Sequence, residues 1–159
     1  MPKITPFLWF NDNAEDAMKH YTSIFKNSKI LDVSRYPEGS PGGMAGKAMS
    51  VSFQLEGQMF MGLNGGPHHK FTEAISLFVS CETQPEVDEL WEKLISGGGE
   101  PSQCGWLKDR FGLSWQIIPT ALMELMSDPD PLKAQRVMEA MLKMTKIDIK
   151  TLKAAHAGN

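Results

Sequence analysis

Trp9, Asn64, Trp106, Lys108, Trp115 and Gln116 have the side-chain types and the placing to hold a small molecule. Three indoles on predicted strands can line an apolar cavity, and the two amides and the ammonium supply fixed polar points. Each indole has an equally ordinary use as core filling. Gln116 is the most telling of the set. It sits in DRFGLSWQIIP, residues 109–119, which opens as a polar turn and runs into an apolar strand. A lone amide beside Trp115, Ile117 and Ile118 needs a hydrogen-bond partner, either a ligand or a neighbouring strand.

Other reactive residues carry weaker signals. His68-His69 is the one histidine pair, but adjacent side chains of an extended segment point to opposite sides. A metal site there needs further donors, and Glu73 is the nearest in sequence. The pair reads instead as a polar loop over a pocket, and His20 and His156 as surface or packing residues. Cys104 would need a neighbouring base or cation to act as a nucleophile. Lys108 is close in sequence with nothing to fix its geometry, so Cys104 reads as structural and Cys81, ending a strand, as core. GSPGGMAGK has Pro41 and Ala48 where a phosphate loop requires a glycine and a Ser or Thr. No glycine fingerprint follows the first predicted strand, so the usual nucleotide or S-adenosylmethionine cradle is not visible.

The elements that must position these residues follow from the pattern of the 159-residue chain, of which 42% is hydrophobic. That length suggests one domain or two small fused modules. A net charge of -3 gives no basic excess for nucleic acid. No apolar run approaches the roughly 20 residues that cross a bilayer. The first residues lack a signal-peptide pattern, and two cysteines do not make a disulfide framework, so a cytoplasmic protein with free thiols is expected. The apolar run Ile4 to Phe10 predicts a strand, and Asn11-Asp12-Asn13 a turn and helix cap. A helix fits residues 14–26 and strands fit 30–36, 49–55 and 58–64. The pattern then restarts with a strand over 74–80 and a helix from a Thr83 cap, with Glu86 three residues on, to about Ser96. Strands near 101–108 and 113–119 complete it. Shifting the first helix by 70 positions lays Ala17, Tyr21, Ile24 and Phe25 on Val87, Trp91, Leu94 and Ile95. This is an internal repeat of a β-α-β-β-β unit. Beyond it, a short helix over 121–126, a helix opening at Asp130-Pro131 and a last helix over 149–155 are predicted. Ala134, Val137, Met138, Met141 and Leu142 make one apolar stripe, read as packing on the sheets or on another subunit.

The doubled pattern, with ITPFLWFNDNAEDAMKHYTSIF, FMGLNGGP, CGWLKDRFGLSWQIIPTAL and DPDPLKAQRVMEAMLKM, resembles the PhnB-like branch of the vicinal oxygen chelate superfamily. That superfamily includes glyoxalase I, bleomycin-resistance proteins and extradiol dioxygenases. The branch is often labelled 3-demethylubiquinone 3-methyltransferase-like. The resemblance implies an α+β fold: two β-α-β-β-β modules, residues 1–66 and 72–120, forming curved mixed sheets around a cleft, with a helical tail over 121–159. Metal-using members place four His or Glu ligands on the sheets. Here those places fall near Thr5, Met61, Ala74 or Ile75, and Gln116. A hydroxyl, a thioether, an aliphatic and an amide make a poor set for a divalent metal. No metal and no cofactor are therefore expected, and Gln116 stands in a former ligand place. The expected function is binding of a small molecule, with or without a reaction. The alternatives are a methyltransferase-like enzyme, a metal-dependent lyase or isomerase using a displaced site near His68 or His69, and a drug-sequestering protein.

The resemblance also implies a homodimer. Open sheet edges need cover, methionine adapts to irregular partner surfaces, and a closed two-fold pair is the commonest soluble oligomer. Light scattering at micromolar concentration is expected to give twice the chain mass, with an interface of at least about 1,600 Å² that includes the C-terminal helices. The mass of a single chain would refute the dimer.

Overall fold

The structure is a computed structural model that describes residues 2–159; Met1, where the first predicted module begins, lies outside them. The chain forms two compact units, one ending at Phe71 and the other running from Thr72 to Asn159.

The first unit consists of β1 (Phe7–Phe10), α1 (Ala14–Ile24), β2 (Ser28–Arg35), β3 (Ala48–Leu55) and β4 (Gln58–Asn64). Its sheet has the order β1-β4-β3-β2, with β1 parallel to β4 and the other pairs antiparallel. Alternation along β3 and β4 turns Val51, Phe53, Leu55 and Phe60 inward. They pack with Ala14, Ala17, Met18, Tyr21 and Ile24 of α1, all buried. The tilted Tyr21–Phe53 and stacked Phe53–Phe60 ring pairs lie at this interface. Each large side chain buried here contributes about 1.5–3 kcal/mol. The β3–β4 hairpin closes through Glu56 and Gly57, at φ of 48° and 83°. Two central residues with positive φ match the twist of paired strands, which is why glycine follows glutamate there. The Gly- and Pro-rich stretch 37–46 contains only a 3₁₀ turn at Pro41–Gly43.

The predicted cap of α1 is replaced by a longer-range one. Asn13 occupies the cap position without a side-chain cap bond. Asn64 serves instead: its Oδ1 accepts the Ala14 N–H at 2.8 Å, and its Nδ2 donates to the Ala48 carbonyl at 2.9 Å. One buried amide thus ties β4, α1 and β3 together.

The second unit repeats the topology with β5 (Ser76–Cys81), α2 (Gln84–Ile95), β6 (Glu100–Pro101), β7 (Trp106–Lys108) and β8 (Ser114–Pro119). Its sheet has the order β5-β8-β7-β6, again with the first pair parallel. The helix and leading strand lie about 70 positions beyond their counterparts, and Val87, Trp91 and Leu94 are buried. Thr83 caps α2 by accepting the Glu86 N–H, and the Glu86 carboxylate reaches back to the Glu82 N–H. The predicted strand near 101–108 is split in two, because Cys104 and Gly105 turn with positive φ. At Gly105 a Cβ would lie 2.7 Å from Ile118 and 3.0 Å from Ile147, so only glycine fits without a shift.

The C-terminal helices α3 (Thr120–Met126), α4 (Pro131–Leu142) and α5 (Ile149–Ala157) complete this unit. Val137, Ile147 and Leu152 bury against Ile118 of β8 and Leu122 of α3. Asp130 caps α4 and Asp148 caps α5. Only part of the predicted stripe is inside: Val137 is buried, while Met138 and Leu142 remain 41% and 56% exposed.

Replacing Asn64 with alanine leaves the Ala14 N–H and the Ala48 carbonyl buried without partners. Asn64→Ala is expected to cost about 2–4 kcal/mol, read as a lower urea midpoint at unchanged denaturant slope.

Candidate functional site

Strand register in the second unit assembles the site. Trp106 lies opposite Gln116, and Gln116 opposite Phe78; Lys108 lies opposite Ser114, and Ser114 opposite Ser76. Side chains alternate along a strand, so these two cross-strand rows share one face of the sheet. The intervening positions, Leu107, Trp115 and Ile117, belong to the other face and are buried. Ile118 follows Gln116 in the alternation and leaves the site, because it packs into the C-terminal cluster.

On the working face, the Gln116 Nε2 donates to the Ser76 hydroxyl at 2.9 Å, and its Oε1 has no partner among the described residues. Phe78 beside it is 56% exposed, and Trp106 is half-buried. Lys108 reaches Glu73 at 2.7 Å. This pairing and their mutual charge hold the Glu73 carboxyl below its ordinary range and raise the Lys108 ammonium above its own. Lys108 thus pairs with Glu73 and not with its neighbour in sequence, Asp109. Asp109 is 3% exposed and organises the preceding turn: its Oδ1 accepts the Phe111 and Leu113 N–H groups at 2.9 and 3.0 Å. Its Oδ2 accepts the indole N–H of Trp115 at 2.9 Å.

The six predicted ligand contacts thus divide. Trp106, Lys108 and Gln116 share a face of the second sheet. Trp115 is 2% exposed, with its one polar atom committed to Asp109, so it fills core rather than a cavity wall. Asn64 is 3% exposed with both ends of its amide bonded to backbone, which corrects the expectation that it offers a polar point to a ligand. Trp9 belongs to the first unit. Its indole N–H donates to the Gly66 carbonyl at 2.9 Å, and its ring meets His69 edge-on at 4.7 Å. The segment after β4 folds close over it, since a Cβ on Gly65 would fall 2.3 Å from the indole. Sequence reasoning passed over Ser76, Phe78 and Ser114, which flank the predicted residues, and weighed Glu73 only as a metal donor beside His68-His69. The alternation that exposed Gln116 also pointed to Ser114, two positions earlier on the same strand.

The donor set does not suit a divalent metal. Gln116 presents an amide whose nitrogen is already donating, and Ile75 is an exposed aliphatic. Among the described residues no group of three or more His, Cys, Asp and Glu is placed to hold an ion. Cys81 is fully buried, and burial with the nearby Glu86 carboxylate pushes its thiol up to about 12. It is no nucleophile at neutral pH.

A sequence model described as 3-demethylubiquinone-9 3-methyltransferase matches residues 2–118. The chain belongs to this family. Among solved structures it is similar to a putative 3-demethylubiquinone-9 3-methyltransferase, PhnB protein, from Bacillus cereus, with 39% identity and a TM-score of 0.68. The similarity covers 75% of this chain and all of that one. It places the chain among PhnB-like proteins. Protein PA1353 from Pseudomonas aeruginosa shares the fold at 19% identity and a TM-score of 0.62, covering 75% of this chain and 98% of its own. Among curated proteins none matches. The family match ends at residue 118, so α3, α4 and α5, with the string DPDPLKAQRVMEAMLKM, lie beyond it.

The contrast between the thiols gives a direct check. Cys104 is partly exposed and Cys81 is not. Ellman's reagent at pH 8 is expected to titrate a single thiol in the folded protein and the second only after unfolding. Rapid reaction of both would show that Cys81 is reached without global unfolding.

Proposed function

We propose that this PhnB-like protein binds a small molecule on the face of its second sheet that carries Trp106, Gln116 and Phe78, with Lys108 at the margin. The row Trp106–Gln116–Phe78 carries the reading: two aromatic side chains flank an amide whose oxygen is unclaimed among the described residues. Binding sites combine apolar walls with a few fixed polar atoms, and this row has both. The hydrogen bond to Ser76 fixes the orientation of the amide, so its oxygen is presented to a ligand donor without an ordering cost on binding. Trp9, under the Gly65-Gly66 turn, offers an aromatic edge in the first unit for the same class of ligand. The protein acts as a homodimer in the cytoplasm; no helix among the described residues is long and apolar enough to cross a membrane.

The family description names a methyl transfer. None of the three residues on this row is a nucleophile or a general base, so binding is the function they support.

Tryptophan fluorescence against a metabolite and drug library, followed by mass spectrometry of each hit for turnover, separates binding from catalysis. Trp106→Ala and Gln116→Leu are each expected to weaken a hit about tenfold, equivalent to ~1.4 kcal/mol. A hit whose affinity neither variant changes would place the site elsewhere.

A further inference from the structure

The segment from Met144 to Asp148 joins α4 to α5 without helix or strand structure, and two other elements hold it. On one side is the start of α2. The Gln84 Nε2 donates to the Ile147 carbonyl at 3.0 Å and to Asp88 at 2.9 Å, and its Oε1 accepts the Ile149 N–H at 2.7 Å. Lys146 adds a partly exposed ion pair to Asp88 at 2.8 Å. On the other side is the turn between β6 and β7. Its Cys104 and Gly105 N–H groups donate to the Met144 and Thr145 carbonyls at 2.9 and 2.8 Å.

That turn delivers Trp106 to the ligand face. Cys104 has a φ of 58°, a left-handed conformation that a non-glycine residue keeps only where its surroundings hold it. Gly105 is buried, and its carbonyl accepts the Ile117 N–H at 2.8 Å, one residue beyond Gln116. The peptide that precedes Trp106 is thus fixed between β8 and the α4–α5 segment. The other bonds of the turn, from the Trp106 N–H to Gln103 and from the Ser102 N–H to Trp106, lie within it and move with it. Without the segment, the buried Gly105 N–H loses its acceptor, a state folded proteins avoid.

We propose that Gln84 is a positioning residue for the ligand face: by holding the α4–α5 segment against the Cys104–Gly105 turn, it sets where the Trp106 indole stands beside Gln116. The proposal rests on the binding role argued above and assigns control of that site to a residue outside its row. Gln84 belongs to α2, whose Val87 and Leu94 are buried on the opposite side of the sheet. The family match ends at residue 118, so the segment through which Gln84 acts lies beyond it. An aromatic wall already held in place loses less freedom when a ligand orders it, which is how a remote amide raises affinity.

The test incorporates 5-fluorotryptophan into the intact chain and follows its fluorine resonances, assigned by single tryptophan-to-phenylalanine variants. Gln84→Met removes the hydrogen bonds to Asp88, Ile147 and Ile149. The Trp106 resonance is expected to shift or broaden, and the Cys104 and Gly105 amides to exchange about tenfold faster. The Trp115 and Trp9 resonances are expected to stay. A Trp106 resonance that stays overturns the proposal. So does a Trp115 resonance that moves with it, the mark of general loosening. If Gln84→Met does not fold, amide exchange of the wild type in urea below the unfolding transition carries the test. The Cys104 and Gly105 amides are then expected to open with those of Ile149 and Leu152, ahead of the β8 amides and together with a change at Trp106. Opening only with β8 overturns the proposal.

A library compound that Trp106→Ala weakens is expected to bind Gln84→Met about threefold less tightly. Unchanged affinity overturns the proposal. If such a compound also responds to Gln116→Leu while the Trp106 resonance ignores Gln84→Met, this proposal fails and the binding role stands. If the Trp106 resonance responds to Gln84→Met while no compound responds to Trp106→Ala or Gln116→Leu, the positioning stands and the binding role fails.

Discussion

A parallel strand pair cannot be joined by a tight turn, and both units are built around that constraint. β1 lies parallel to β4 and β5 parallel to β8, so in each unit the chain leaves the first strand through a helix before it completes the sheet. The helix must lie on one face, and its apolar stripe fixes which one. Tyr21 and Met18 of α1, and Val87 and Leu94 of α2, are buried as a result. The residues on the opposite side of each strand are released from that packing. In the second unit they are Ser76, Phe78, Trp106, Lys108, Ser114 and Gln116, a mixture of aromatic and polar side chains.

Buried polar side chains then lock the elements in place. Asn64 joins a strand, a helix start and a second strand through two hydrogen bonds. Asp109 gathers two backbone N–H groups and an indole N–H around one carboxylate. Each is satisfied at nearly every donor or acceptor it presents, the condition under which a buried polar group supports a fold rather than weakening it. The same satisfaction removes both from ligand contact. Gln116 and Ser114 differ because each keeps an atom without a hydrogen-bond partner among the described residues.

The C-terminal helices extend the family fold with their own fastenings. The Cys104 and Gly105 N–H groups donate to the Met144 and Thr145 carbonyls, which sets the segment before α5 against the turn between β6 and β7. Gln84, at the start of α2, donates to the Ile147 carbonyl and accepts the Ile149 N–H, standing in for a strand partner. The buried cluster of Ile118, Leu122, Val137, Ile147 and Leu152 completes the attachment. A segment fastened this way adds to the stability of the second unit, and Met138 and Leu142 on its outer side are not needed for that attachment.

The sequence alone determined the features that depend on near neighbours. The two-residue and 3.6-residue periods placed strands and helices to within a few positions, the Thr83 and Asp130 caps lay where their residue types required, and the 70-residue offset exposed the repeat. Those signals are local because backbone geometry and capping bonds involve residues a turn or a strand step apart. Tertiary structure alone decided which polar and aromatic residues were free. Nothing near Asn64 announces that its partners are Ala14 and Ala48, and nothing near Lys108 names Glu73 over the adjacent Asp109. Trp106 and Trp115, nine positions apart on paired strands, took opposite fates because register set one against Gln116 and the other against Leu107. Side-chain hydrogen bonds and sheet register are contacts between distant parts of the chain, and their geometry exists only once the strands are paired.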